Sequence, residues 1–135
     1  MDFFNWNSSF ELGIEVIDSQ HRELVRMINE LDRALRRHTA RDILSELLDE
    51  LIDYSKYHFS TEEKYMLDFE FEGFSDHRKE HDHFRFKVFR FQREYIDGTA
   101  ELDSVLMQFL KEWLSNHMLG TDRQFRDLFL GKGLR

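Results

Sequence analysis

The 135-residue chain contains no cysteine and no proline, and only six glycines. Without a thiol there is no disulfide, no thiolate metal site and no cysteine nucleophile. Without proline nothing removes a backbone donor, and with so little glycine few natural breaks remain; both favour long uninterrupted helices. Positive charge is also short, 19 Lys and Arg against 27 Asp and Glu, a formal net charge of −8. An acidic surface gains nothing from a phosphate backbone, which argues against nucleic acid as a partner. No run of about 20 apolar residues is present, so no membrane insertion is expected. The opening Met1-Asp2-Phe3-Phe4-Asn5-Trp6 is acidic and mixed and does not read as a signal peptide. A cytoplasmic protein is the resulting expectation, although a domain cut from a larger receptor would look the same.

What is plentiful is aromatic bulk. Fourteen phenylalanines in so short a chain point to a tightly filled interior, and the length suits one domain, residues 1–135. The apolar spacing predicts an all-α, antiparallel up-down-up-down four-helix bundle with an N-terminal arm over 1–17 and a short C-terminal helix. The first helix is expected over about 18–38, capped by Asp18 or Ser19, with Leu24, Val25, Ile28, Leu31 and Leu35 inward. The second is expected over about 40–69, starting from Thr39 with Asp42 completing a capping box. Its inner row reads Leu47, Leu51, Tyr54, His58, Glu62, Tyr65. The third, about 75–97, carries His77, His81, Phe84, Val88, Phe91 and Tyr95, and Gly98 ends it. The fourth, about 99–119, starts at Thr99 and carries Leu102, Leu106, Phe109, Trp113 and His117. A final helix is expected over about 121–130.

The polar residues on these apolar stripes are the informative ones. His77 and His81 stand four apart, on one helix face that continues into Phe84 and Val88. His58 and Glu62 repeat that arrangement, His117 closes the fourth row, and His21 stands one turn before Leu24 and Val25. In an antiparallel bundle the starts of the first and third helices meet the ends of the second and fourth. Five imidazoles and at least one carboxylate therefore share one layer. Burying them unpaired costs a few kcal/mol each, and metal is the simplest compensation. Imidazole and carboxylate suit iron, zinc, copper or manganese, and five imidazoles suit two ions rather than one. Two close cations need bridging oxygens: Glu62 is one, and Asp122 is the other candidate. A five-residue step from His117 turns about 500° on an ideal helix, well off the face, so the helix must bulge near Gly120.

Four segments in this order resemble the bacterial hemerythrins: Ile17-Asp18-Ser19-Gln20-His21, His58-Phe59-Ser60-Thr61-Glu62-Glu63, His77-Arg78-Lys79-Glu80-His81, and Trp113-Leu114-Ser115-Asn116-His117-Met118-Leu119-Gly120-Thr121-Asp122. The likeness runs from Trp6 to about Leu130. One departure is Glu72, where a proline commonly precedes the third helix. The resemblance implies two non-haem iron ions with a bridging oxo or hydroxo group, and O2 as ligand. It implies that His77, His81 and His117 hold one iron, that His21 and His58 hold the other with a position left open, and that Glu62 and Asp122 bridge both. It implies reversible O2 binding, for storage, delivery or sensing, and no catalytic residue. Leu24, Trp113, Leu114 and Met118 flank the ligands by a turn or less and are expected to form part of a dry wall around the O2.

Two other functions fit the same residues. One is an enzyme, a di-iron oxidase, peroxidase or nitric-oxide-handling site. The other is a sensory module passing its ligand state to an attached or partner signalling domain. The histidine-rich, carboxylate-poor set favours the carrier, because oxygen-activating di-iron bundles rely mainly on Glu and Glu-x-x-His. Several neighbours read as ordinary. His38 stands among arginines at a helix end. His83 lies about 200° around the helix from His81 and faces outward. Glu63 points away from Glu62 and reads as a surface group or as one that supports a ligand from behind, and Gln20 and Asp18 are placed to orient a ligand histidine, with helix capping an equal account of Asp18. Phe86 and Phe89, on the outer side of the third helix, read either as a subunit interface or, the preferred expectation, as covered by the arm residues Phe3, Phe4, Trp6 and Phe10.

Overall fold

A computed structural model describes residues 2–98 and 104–135. It contains α1 (Glu15–Arg36), α2 (Arg41–Asp68), α3 (Phe74–Ile96), α4 (Ser104–Asn116) and α5 (Arg123–Gly131). A 3₁₀ turn at Ser8–Phe10 precedes α1, and a π-helical turn, His117–Thr121, joins α4 to α5. α1 packs on α2 and α4, and α2 packs on α3. Phe84 of α3 closes the ring against Phe109 and Trp113 of α4. The start of α1 meets the end of α2 at His21 and Glu62, and the start of α3 meets the end of α4 at His77 and His117. Neighbouring helices are therefore antiparallel, and the chain is an all-α four-helix bundle.

The ends of the helices differ in places from the expected ones. α1 begins three residues before Asp18, with Ile14 at its cap and no side-chain cap. Asp18 reaches back instead, accepting from the backbone N–H of Leu12 at 2.9 Å and of Gly13 at 3.0 Å. It ties the incoming arm to the helix rather than capping it. The capping box expected at Thr39 does not form: α2 starts after Ala40, and Asp42 accepts only from its neighbour Ile43. The expected start of the fourth helix at Thr99, and Leu102 of its row, lie outside the described residues. At its other end α4 stops at Asn116 rather than 119.

α1 and α2 both end by turning one residue into the left-handed region, His38 (φ 53°) and Glu70 (φ 56°). The following N–H then bonds five residues back, Thr39 to the Ala34 carbonyl and Phe71 to the Met66 carbonyl. Glycine adopts that left-handed conformation most cheaply, and Gly98 takes it up after α3 (φ 77°).

The main core fills the bundle with Leu24, Ile28, Leu31, Leu48, Leu51, Phe59, Val88, Leu106 and Leu110 among others. The buried face of α2 is wider than the expected row, because the helix lies between two neighbours. Leu44, Leu48, Ile52 and Phe59 are buried, while Leu47, Tyr54 and Tyr65 are only half-buried. A second apolar cluster, Leu12, Ile14, Ile17, Met66, Phe125 and Phe129, sits under α5.

The arm does not cover Phe86 and Phe89, which stay 71% and 50% exposed. It crosses α1 and α4 instead. The Phe4 backbone N–H donates to Asn29 Oδ1, the Asn29 amide returns a bond to the Phe4 carbonyl, both at 2.8 Å, and Lys111 holds the Phe3 carbonyl. A buried asparagine on α1 offers that edge-on pairing; the outer face of α3 offers none.

Candidate metal centre

The histidine-bearing layer lies between the two apolar clusters. His21, His58, Glu62, His77, His81, His117 and Asp122 are all buried to 2% exposure or less. Each helix supplies its part through the three- and four-residue spacing of its inner face. The exception is Asp122, which depends on the π turn. Its N–H donates to the His117 carbonyl at 2.8 Å, a five-residue step that widens the helix and returns Asp122 to the face of His117.

The donor atoms fall into two groups. Glu62, His77, His81, His117 and Asp122 form one; His21, His58, Glu62 and Asp122 form the other. All five imidazoles turn Nε2 inward, and both carboxylates divide their oxygens between the groups. Glu62 Oε2 lies 3.3 Å from His21 and 3.1 Å from His58. Its Oε1 lies 3.0 Å from His81 and 3.5 Å from His77 and His117. Asp122 Oδ2 is 2.9 Å from His21, while Oδ1 is 3.1 Å from His77 and 2.8 Å from His117. All seven residues singled out in the sequence therefore meet here.

Glu62 meets the Nε2 atoms of His21, His81 and His117 within hydrogen-bond geometry, but the other close approaches are poorly aligned. His58 Nε2, His77 Nε2 and both Asp122 oxygens are buried without a hydrogen-bond partner, as are the Nδ1 atoms of His21, His77 and His117. A buried polar atom left unsatisfied costs about 1–3 kcal/mol. The unpartnered Nε2 and carboxylate atoms face a space shared with the other donors, the geometry expected of atoms that share a cation. Nitrogen and oxygen donors of this kind fit first-row transition ions.

Protons take part of that role in the metal-free chain. Burial by itself lowers the His21 and His77 imidazoles, but the Asp122 and Glu62 carboxylates overcome it and hold both at about 9. His117 is raised in the same way. For His58 burial wins and its pKa falls. Burial raises Glu62 and Asp122, yet the surrounding imidazoles hold both below the ordinary carboxylate range.

Around the layer stand residues that hold the imidazoles from outside. Phe59 stacks on His81 at 4.1 Å and 15°, and Trp113 on His117 at 4.5 Å and 15°. Gln20 Oε1 is 2.7 Å from His58 Nδ1. Glu63, read as a surface group or a support for a ligand, is the latter: it lies against α3 with its Oε2 2.8 Å from His81 Nδ1. Phe59 stands eleven and seven residues after Leu48 and Ile52, on the same helical face, a signal strong enough to have found it. His38 and His83 are exposed.

Of the expected wall, Leu24, Trp113 and Leu114 line a small cavity together with Ile28, Leu51, Ser55, Phe59 and Phe84. Its volume is about 10 Å³, close to the least room one water needs. The Ser55 hydroxyl is spent on the Leu51 carbonyl at 2.7 Å. Met118 is fully buried in the same core without lining the cavity. No helix among the described residues is long and apolar enough to cross a membrane.

The hemerythrin HHE cation binding domain model matches residues 12–128. Bacteriohemerythrin of Clostridium acetobutylicum is 33% identical over 92% of this chain and 99% of its own length. A hemerythrin-like protein of Naegleria gruberi is 32% identical over 91% of each chain. Among solved structures, wild-type hemerythrin superimposes with a TM-score of 0.86 at 29% identity, over 93% of this chain and 97% of that one. A leucine-to-alanine variant of hemerythrin gives 0.88 at 29% identity, over 95% and 98%.

Proposed function

The chain belongs to the hemerythrin family, and on that footing we propose that it binds O2 reversibly at a pair of non-haem iron ions, for storage, delivery or sensing. His77, His81 and His117 hold one ion. His21 and His58 hold the other and leave it a free position. Glu62 and Asp122 bridge the pair together with an oxo or hydroxo group. The observation that carries this reading is the division of each carboxylate, one oxygen toward either group of imidazoles.

When bound, the iron pair supplies two electrons and a coordination position for O2. The chain's own residues do the rest. The five imidazoles are held with Nε2 inward by the helices and, for His58 and His81, by partners on Nδ1. Glu62 and Asp122 screen the repulsion between two cations. Leu24, Ile28, Phe59, Phe84, Trp113 and Leu114 exclude water from the adjoining cavity, which slows irreversible oxidation and loss of reduced oxygen. No titratable side chain lines that cavity, and its one hydroxyl already donates to a backbone carbonyl. Such a wall has no proton to give, which favours release of O2 over its reduction.

The experiment is a gas cycle on the iron-loaded, reduced protein. Exposure to air should develop a visible charge-transfer band that fades when the gas is removed and returns on a second exposure. One-way conversion to an oxidised form, with steady consumption of an added reductant, would instead identify an oxidase or peroxidase.

A further inference from the structure

The two groups of imidazoles are backed by different chemistry on their outer sides. On the two-imidazole side His58 Nδ1 meets Gln20 Oε1 at 2.7 Å, and the Gln20 amide is occupied by Thr61 Oγ1 at 3.3 Å. That partner is neutral, and His21 Nδ1 has none. On the three-imidazole side His81 Nδ1 meets Glu63 Oε2 at 2.8 Å. Arg85 Nη2 donates to the same oxygen at 2.8 Å, and Arg85 Nη1 donates to Asp82 at 2.7 Å. One guanidinium is thus shared by two carboxylates, which leaves the set Glu63, Arg85 and Asp82 with one net negative charge. The guanidinium also lies 5.1 Å over the Phe59 ring, which stacks on His81. A second carboxylate, Glu80, stands 3.8 Å from His117 Nδ1. His81 is held at its edge, on its face and at its inner nitrogen, and the charge that holds it sits on one half of the centre only.

We propose that Glu63 is a positioning residue of the metal centre: it fixes His81 with the Nε2 lone pair turned inward and places negative charge behind the three-imidazole half, so that this half favours ferric over ferrous iron. The inference rests on the iron reading above. A carboxylate accepting the Nδ1 proton of a ligand histidine fixes the tautomer and raises the basicity of the other nitrogen. A more basic nitrogen stabilises the higher charge. Gln20 gives His58 the same orientation without the charge, so the two halves are oriented alike and polarised differently. Glu63 is half-buried, at 16% exposure, so its field is only partly screened.

Two substitutions separate orientation from charge. Glu63→Gln keeps an acceptor oxygen and loses the charge; Glu63→Ala loses both. Iron retention is measured by competition with a chelator, and reduction potential by titrating the loaded, oxidised protein with dithionite and mediators, each electron converting one ferric ion to ferrous. Glu63→Ala is expected to retain iron about ten- to a hundredfold more weakly. Glu63→Gln should recover most of that retention while its second reduction step, the one that reaches the ion of the three-imidazole half, moves to a more positive potential. Gln20→Glu, which adds charge to the other half, should move the first reduction step to a more negative potential. A merely structural role would lower the thermal midpoint of the metal-free protein and leave the potential alone. A Glu63→Gln protein with two irons at the wild-type potential overturns this inference and leaves the iron reading standing. A wild-type protein that does not take up two irons overturns both.

Discussion

Where α1 and α3 end and α2 and α4 begin, the bundle is closed by Leu31, Leu44, Leu48, Val88, Tyr95 and Leu106, all buried and all but Tyr95 purely apolar. At the other end five imidazoles and two carboxylates take up the equivalent inward positions, equally buried. The first end gains from burial directly, at about 25 cal/mol for each Å² of apolar surface removed from water. The second loses by it until a cation satisfies the atoms left without partners. The polar layer persists because it is held between two apolar clusters, the main core on one side and Leu12, Ile17, Met66, Phe125 and Phe129 on the other. The rigidity of one region places the donors that make the other useful.

The sharpest way to separate the two ends is to damage each in turn. Leu48→Ala should cost about 2–5 kcal/mol of stability, lowering the thermal midpoint of loaded and metal-free protein alike and leaving the iron content unchanged. His77→Ala should do the reverse, dropping the iron content and removing the difference in midpoint between loaded and metal-free protein. If His77→Ala keeps the wild-type iron content, or Leu48→Ala loses it, the ends are not distinct in the way described.

A milder contrast comes from pH. In the metal-free chain His21 and His77 are held at about 9, above the unfolded value of 6.5. A raised folded pKa contributes stability that is present below 6.5 and lost as pH rises through about 9. The metal-free midpoint should therefore fall between pH 6.5 and 9. The loaded protein, whose imidazoles carry metal instead of protons, should be flat across that window, with thermal melts of both forms as the measurement. A metal-free protein that is flat there as well would mean the carboxylates do not hold those protons.

Most of the apolar end and six of the seven inward polar residues were legible in the sequence because helix periodicity speaks directly to which face a residue occupies; Leu44 and Leu48, outside the expected row, were not. Asp122 was legible at one remove, since its five-residue offset from His117 and the nearby Gly120 required a bulge. What periodicity cannot report is the neighbour a side chain finds on another helix. Glu63 lies one residue off the face of Glu62, where periodicity leaves a surface group and a support for a ligand equally open, and His81 and Arg85 of α3 decide it by drawing the carboxylate inward. Asp18 has the form of an N-cap, but the backbone of Leu12 and Gly13 comes within its reach and takes the carboxylate. The arm is aromatic enough to cover Phe86 and Phe89; it goes elsewhere because Asn29 supplies a two-way pairing with the Phe4 backbone. Each of these is a tertiary contact deciding or overriding a local pattern.

The central claim is that the polar end is built for two cations sharing two carboxylates. The most direct measurement is the iron content of the purified wild-type chain after anaerobic loading with ferrous iron and removal of loosely held metal. The account predicts two irons per chain, taken up together. One iron per chain, or none, would contradict it.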